Sequence, residues 1–158
     1  MRQRNASCGS PASAGRRDED FMHAALRLAR LAAPYPNPAV GALVVLSGEI
    51  VGVGYHERAG AAHAETVALA AAHQLARGAD LYVTLEPCNH HGRTPPCVDA
   101  ILRAGIRRVV IGCLDPNPKV CGGGCARLAA DGVAIAFGPW RSEAEALIDS
   151  WRNSALAG

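Results

Sequence analysis

Residues 79–113 read ADLYVTLEPCNHHGRTPPCVDAILRAGIRRVVIGC, and this stretch decides the fold. ADLYVTLE predicts a strand that ends at Pro87, TPPCVDAILRAG predicts a helix with proline near its start, and IRRVVIGC predicts a further strand. Cys88 and Cys97, with eight residues between them, lie where the first strand gives way to the helix. The stretch therefore combines a strand–helix–strand unit with two thiols at one of its junctions.

The same alternation continues on both sides of this unit. Before it, a helix is predicted from the acidic run at Asp18 through FMHAALRLARLAA, then a hairpin (AVGALVVL, the turn SGE, IVGVGYHE) and the helix HAETVALAAAHQLARG. After it come the helix CARLAADG, the strand VAIAFGP and the helix SEAEALIDSWRNSA. Alternating strands and helices place helices on both faces of one sheet. We therefore predict an α/β fold, a three-layer α/β/α sandwich with a mixed five-stranded sheet, in which sites gather at strand ends and helix starts.

The totals restrict the classes of function. The chain has 158 residues, 49% hydrophobic and 19% charged, which predicts one globular domain over 18–158 after a disordered tail over 1–17. A net charge of +2 argues against nucleic acid as a partner. No apolar run is long enough for a membrane span, and the polar N-terminus lacks a secretory signal, so we expect a cytoplasmic protein. In such a reducing compartment, six cysteines favour metal binding or catalysis over disulfides.

Two segments at predicted strand and helix ends carry metal-binding side chains. If these ends lie side by side, His63, Cys88 and Cys97 can meet around one metal. Three protein ligands leave a fourth tetrahedral position open, as in catalytic zinc sites, and we predict Zn²⁺ here. Glu65, two residues after His63, would carry protons to and from the reacting groups.

Blander interpretations compete with this one. The same three ligands could form a structural zinc site, although Glu65 and the missing fourth ligand favour catalysis. His90 and His91 could be further ligands, but loop and surface roles fit them better. Cys121 and Cys125 stand at helical spacing without a second pair of ligands nearby, which favours packing over another metal site.

The HxE…PC…C set is the zinc-deaminase signature. Nucleic-acid and nucleoside deaminases keep two residues between the cysteines, whereas EPCNHHGRTPPC, with eight, resembles the deaminase domain of the bifunctional riboflavin-biosynthesis deaminase/reductase. The resemblance covers about Asp18 to Leu147. It includes the motifs PNPAVGALV, GYHERAGAAHAE, LYVTLEPC and LDPNPKV in the order of that family.

The resemblance implies a cytidine-deaminase-like fold and a reaction. The substrate would be a diaminopyrimidinone bearing a phosphoribosylamino group, and the products would be ammonia and the corresponding aminouracil. The family's zinc ligands correspond to His63, Cys88 and Cys97, and its general acid/base corresponds to Glu65. The implied substrate contacts are Asn37, His56, Arg93, Asp115 and Asn117. The insert between the cysteines would bring Arg93 near the substrate phosphate, for which a guanidinium is well suited.

Some positions depart from the family pattern, although none removes a predicted ligand. They are Ala61, Ala62, Val67, Asn89, Cys121 and Gly123. The chain stops where the family's reductase domain would begin, so we expect deamination without reduction and a separate reductase as a partner. The pathway would be riboflavin synthesis or a branch such as that to toxoflavin-type azapteridines. Analogy with the fold class predicts a homo-oligomer.

Two other functions remain open from the sequence. One is deamination of another base, nucleoside or tRNA adenosine, against which the long cysteine spacing and Arg93 argue. The other is a non-catalytic zinc-binding accessory subunit, against which the intact HxE argues.

Overall fold

The computed structural model describes residues 11–32, 34–92 and 94–156, with side chains described for 17–32, 34–92 and 94–152. Its helices are α1 (Pro11–Ala29), α2 (Ala64–Ala72), α3 (Cys97–Ala104), α4 (Gly123–Ala130) and α5 (Arg141–Leu156), and a 3-10 turn at His73–Ala76 extends α2. Its strands are β1 (Gly41–Leu46), β2 (Glu49–Tyr55), β3 (Asp80–Leu85), β4 (Arg108–Cys113) and β5 (Ala134–Phe137). Of the helices in these ranges, none is long and apolar enough to cross a bilayer.

The strands form a mixed five-stranded sheet in the order β2-β1-β3-β4-β5, as the sequence predicts. β1 runs antiparallel to both β2 and β3, whereas β3, β4 and β5 are mutually parallel. Because β3 and β4 are parallel, their carboxyl ends meet at one edge of the sheet. The segments that follow them, which begin at Glu86 and at Leu114, therefore start side by side.

Helices cover both faces of the sheet, which confirms the three-layer sandwich. Gly41 of β1 faces α1, where a Cβ would collide with the carbonyl oxygen of Ala25. Its neighbour Ala42 pairs with Gly54 of β2, which faces α2. Successive residues of a strand point to opposite faces, so α1 and α2 lie on opposite sides of the sheet.

The remaining helices join these two layers. α5 lies with α1, because Trp140 at its start donates a hydrogen bond from its indole nitrogen to the carbonyl oxygen of Glu19 at 3.1 Å. α3 packs beside α2, and α4 beside α3. The buried core follows both faces of the sheet. Met22 and Leu26 of α1 lie on one face, and Ala68 of α2 and Ile101 of α3 lie on the other.

The first helix begins earlier than the acidic run predicts. It starts at Pro11 rather than Asp18, and it ends at Ala29, short of the predicted Ala33. The small residues over 12–15 are compatible with a helix and precede the acidic run, so the acids do not mark its start. The boundary of the domain at residue 18 stays a prediction, and residues 1–10 of the predicted tail lie outside the described ranges.

Asp18 instead ties α1 to the sheet. Its Oδ2 lies 2.6 Å from Arg108 Nη2 and its Oδ1 lies 3.2 Å from Arg108 Nη1, while the Tyr82 hydroxyl donates to Oδ1. Burial raises the pKa of Asp18, but the hydrogen bonds from Arg108 and Tyr82 outweigh this effect and lower the pKa below its ordinary value. The ionised carboxylate therefore stabilises the folded state.

Asp18→Asn should lower the free energy of unfolding by about 1–2 kcal/mol at pH 7, since it removes charge-assisted hydrogen bonds that are partly exposed. A group with a depressed folded pKa contributes stability above its unfolded pKa and loses it as pH falls through the folded pKa. The difference from the wild type should therefore shrink below about pH 4, as urea unfolding at several pH values would reveal. Glu145→Gln, which breaks only the exposed pair with Arg141, is the control and should change little at any of these pH values.

Two glycines of β2 allow α2 to lie directly on the hairpin. A Cβ on Gly52 would collide with the carbonyl oxygen of Ala68, and one on Gly54 with the carbonyl oxygen of Ala64. Both collisions involve helix backbone, which cannot turn aside as a long side chain can. The backbone of α2 can therefore pack against β2 because Gly52 and Gly54 have no side chains.

Gly54→Ala should lower the free energy of unfolding by about 1–3 kcal/mol through overpacking, and it should also weaken zinc binding because it displaces the start of α2. Chemical unfolding and competition with a zinc chelator measure the two effects. Gly123→Ala adds the same methyl group where nothing lies within 4 Å, and it should spare both properties. Unchanged zinc affinity in Gly54→Ala would show that the site does not depend on this contact.

Candidate metal centre and active site

Three elements bring the predicted metal ligands together. His63 is the residue before α2, with extended backbone (φ −69°, ψ 156°), and Cys97 is the first residue of α3. Cys88 lies just beyond β3. Two helix starts and one strand end thus converge on one point, as the sequence predicts for the location of a site.

The side chains of these residues form a compact cluster. His63 Nδ1 lies 3.2 Å from Cys97 Sγ and 3.6 Å from Cys88 Sγ, and all three ligand atoms lie within 4.8 Å of one another. Within the described part of the chain, this is the group of three that could hold a metal ion, and it includes none of His90, His91, Cys121 and Cys125. One imidazole nitrogen and two sulfurs suit Zn²⁺ and leave a tetrahedral position open.

The electrostatics of the cluster also suit a metal. Hydrogen bonds from the Cys97 thiol and from His63 lower the pKa of Cys88 well below its ordinary value, against the effect of burial. The Cys97 backbone N–H also donates to Cys88 Sγ at 3.3 Å. The pKa of Cys97 is raised far above its ordinary value, because its thiol donates to Cys88 and is buried. One thiolate is therefore ready to bind a cation, and the remaining proton is one that metal binding would release.

Glu65 lies in the first turn of α2, beside the cluster, and its side chain is buried. Burial raises its pKa to about 7, and the negative charge of Cys88 acts in the same direction. A carboxyl group with a pKa near neutral can both accept and donate a proton at physiological pH. These properties agree with the proton-transfer role predicted for Glu65, which stays a prediction.

A cavity of about 240 Å³ opens onto the cluster. Three of the five predicted substrate contacts line it, namely Asn37, His56 and Asp115, together with His63, Glu65 and Cys88. Asn117 is not among the lining residues; it is exposed in the turn after Asp115, whose Oδ1 accepts its N–H at 2.8 Å. Arg93 lies outside the described residues, so its predicted contact stays a prediction.

His56 is buried beneath the cavity and both of its ring nitrogens have protein partners. Nδ1 lies 3.1 Å from the carbonyl oxygen of Ala62, and Nε2 lies 2.9 Å from Asn37 Nδ2. The carbonyl requires a donor at Nδ1, so Nε2 accepts from the Asn37 amide and the amide oxygen of Asn37 is left for a ligand. His56 therefore orients Asn37, a role that the sequence alone did not indicate.

A second cavity of about 460 Å³, the outer chamber, adjoins the first cavity, the inner chamber. The two share Asn37, His63, Cys88 and His90, and the second is also lined by 59–61, Gly92 and Thr94. Residues of the insert between the two cysteines thus form a wall of this chamber. The insert extends the cavity beyond the metal cluster rather than adding ligands to it.

Glu86 is a cavity residue that the sequence analysis did not select. It follows β3, it is buried, and it lines the inner chamber. A buried acid at a strand end, two residues before a predicted ligand, was the available signal. The sequence could not reveal its hydrogen-bond partners, which lie 29 to 39 residues further along the chain.

Cys97→Ser should reduce bound zinc from an equimolar amount to a small fraction of that, because hydroxyl oxygen is a far weaker zinc ligand than a thiolate. Metal analysis of protein purified with zinc and then dialysed measures the change. Cys113→Ser replaces a buried cysteine outside the cluster and should retain the metal. Equal zinc in both variants would rule out Cys97 as a ligand.

The chain is similar in sequence to known proteins. The chain is 54% identical over 132 residues to the riboflavin biosynthesis protein RibD of Aquifex aeolicus, covering 82% of this chain but 37% of that protein. It thus spans little more than a third of that relative. It is 44% identical over 131 residues to the diaminohydroxyphosphoribosylamino-pyrimidine deaminase of Buchnera aphidicola, covering 82% of this chain and 89% of that one.

A solved structure and a family description agree with these relatives. The diaminohydroxyphosphoribosylaminopyrimidine deaminase/5-amino-6-(5-phosphoribosylamino)uracil reductase of Thermotoga maritima superposes with a TM-score of 0.82 at 40% identity, over 91% of this chain and 42% of that one. Residues 15–113 match the family described as the cytidine and deoxycytidylate deaminase zinc-binding region. The His/Cys/Cys cluster and the three-layer sandwich agree with a zinc-binding domain of this kind, and the chain belongs to the cytidine and deoxycytidylate deaminase family.

Proposed function

We propose that this protein is a zinc-dependent deaminase that removes an amino group, as ammonia, from a diaminopyrimidinone bearing a phosphoribosylamino group. The observation that carries the proposal is the buried Glu65 beside the His63/Cys88/Cys97 cluster, in a cavity that continues into a chamber walled by the cysteine insert. The Buchnera relative named for this activity is covered over 89% of its length, which supports the same assignment.

His63, Cys88 and Cys97 would hold the metal through Nδ1 and two sulfurs. Zinc held there would supply Lewis-acid activation of a water molecule at neutral pH. Glu65 would take a proton from the attacking water and deliver it to the ring nitrogen next to the attacked carbon. It would then take the remaining proton of that water, from the hydroxyl group formed on the ring carbon, and pass it to the departing amine, so that one water is consumed and one ammonia leaves while the ring carbon gains a carbonyl.

The cavity divides recognition between its two chambers. In the inner chamber, the Asn37 amide oxygen, held outward by His56, can accept a hydrogen bond from the pyrimidine ring, and the Asp115 carboxylate can do the same. The outer chamber, walled in part by Gly92 and Thr94, would take the ribose phosphate. Arg93 would pair with the phosphate, and Asn117 would contact the substrate from the turn after Asp115.

The product would be consumed by a reductase. The Thermotoga protein carries both activities in its name, and the present chain covers 42% of it. The reaction would serve riboflavin synthesis or a branch that uses the same intermediate, such as the toxoflavin-type azapteridine pathway. We place the enzyme in the cytoplasm, as a homo-oligomer.

Glu65→Gln should retain zinc while kcat for ammonia release falls by about 10²–10⁴, the usual contribution of a general acid–base group. Zinc content and turnover are measured on the same preparation. Glu145→Gln, an exposed surface change, is the matched control and should keep full activity. Normal turnover by the zinc-loaded Glu65→Gln protein would contradict the role assigned to this residue.

The substrate class is tested by ammonia release from the phosphoribosylated diaminopyrimidinone, its dephosphorylated form, cytidine and guanine. We expect turnover of the first, and a kcat/KM for the second at least about tenfold lower, because charge-assisted contacts to the phosphate are lost. Preferential turnover of cytidine or guanine would assign the protein to another deaminase of this family. Zinc binding with no turnover of any of the four would favour an accessory subunit.

A further inference from the structure

The side chain of Glu86 accepts hydrogen bonds from the segment that links β4 to α4 and from the first turn of α4. Its Oε2 accepts the backbone N–H groups of Asp115 at 3.2 Å and Gly122 at 2.9 Å. Its Oε1 accepts those of Gly124 at 3.0 Å and Cys125 at 3.2 Å. One buried carboxylate thus collects four backbone donors from both ends of an eleven-residue segment, 115–125.

These four bonds restrict what Glu86 can do. A carboxylate offers about four lone-pair positions, and here each oxygen already has two donors. Although Glu86 lines the cavity, its oxygens have no acceptor position left for a substrate group. Its role therefore differs from that of Glu65, which we assign to proton transfer.

Segment 115–125 also packs closely against the residues that follow β3. A Cβ on Gly124 would collide with the carbonyl oxygen of Pro87, so the start of α4 lies directly against the backbone next to Cys88. Asn89 Nδ2 donates to the carbonyl oxygen of Gly123 at 3.4 Å. The negative carboxylate also lies at the positive end of α4, where it is favoured.

The first residue of the held segment is Asp115, whose side chain lines the inner chamber. Its backbone N–H is bonded to Glu86, and its Oδ1 in turn accepts the N–H of Asn117. Two of the predicted substrate contacts, Asp115 and Asn117, therefore depend for their placement on Glu86 at the end of β3. Because β3 also leads directly to Cys88, the same strand end sets the metal cluster and the substrate turn relative to each other.

We propose that Glu86 is a positioning residue, which fixes segment 115–125 so that Asp115 faces the cavity at a set distance from the zinc cluster. The expected change in KM rests on the proposed function, whereas the expected change in amide exchange does not. Removal of the anchor should leave the metal and Glu65 in place while the substrate-binding wall loosens.

Glu86→Gln is the deciding variant, because it keeps the size of the side chain but replaces one acceptor oxygen with an amide donor. In the zinc-loaded full chain, we expect the amides of Asp115, Gly122, Gly124 and Cys125 to exchange with deuterium at least about tenfold faster. We expect KM for the phosphoribosylated substrate to rise at least about tenfold while kcat falls by less than about threefold. Zinc content should not change, and Glu145→Gln should match the wild type in every measurement.

Unchanged exchange at these four amides would overturn the proposal, as would a loss confined to kcat with KM intact. If the wild type fails to turn over the phosphoribosylated substrate, the proposed function fails, while the exchange rates still decide the anchor. If Glu86→Gln does not fold, Glu86→Asp, which keeps the charge but retracts the oxygens, replaces it in the exchange measurement. Faster exchange in that variant supports the anchor, and wild-type exchange overturns it.

Discussion

The contact between α2 and the β1–β2 hairpin is the constraint on which the candidate active site depends. His63 and Glu65 both stand at the start of α2, so the position of this helix sets the position of one predicted ligand and of the predicted proton carrier. The helix backbone reaches the sheet because Gly52 and Gly54 have no side chains in the way. A close-packed interior transmits such a constraint, because neither surface can give way without loss of contact elsewhere.

The parallel pairing of β3 and β4 supplies the other half of the site. Each strand ends at the same edge of the sheet, so the segment with Cys88 and the segment with Asp115 start next to each other. Glu86 bonds one segment to the other through backbone N–H groups, which do not depend on the identity of the residues that supply them. The turn can therefore vary in sequence while its geometry is kept, as long as no residue that donates to Glu86 becomes proline, which has no N–H. Glycine must also remain at position 124, where any Cβ would collide, and at position 122, where φ is +79°.

The two buried acids of this cavity have different roles because they have different partners. Glu65 is buried near the thiolate of Cys88, and its pKa is raised to about 7, within the range useful for proton transfer. Glu86 is equally buried, but four N–H donors surround its carboxylate. Two glutamates at one site can thus serve chemistry and architecture respectively, and the difference comes from their partners and not from their exposure.

The order and type of every helix and strand followed from the sequence, because the period of the apolar residues and the punctuation by proline and glycine are local properties. The HxE and PC…C motifs likewise selected His63, Cys88 and Cys97 as predicted ligands, since zinc chemistry demands those residue types, and the structure brings the three side chains together. The attachment of α1 to the sheet through Asp18, the support of Asn37 by His56 and the anchor at Glu86 were decided only by the tertiary structure. Each depends on partners distant in sequence, such as Arg108 for Asp18 or Cys125 for Glu86, which meet only when the sheet is assembled.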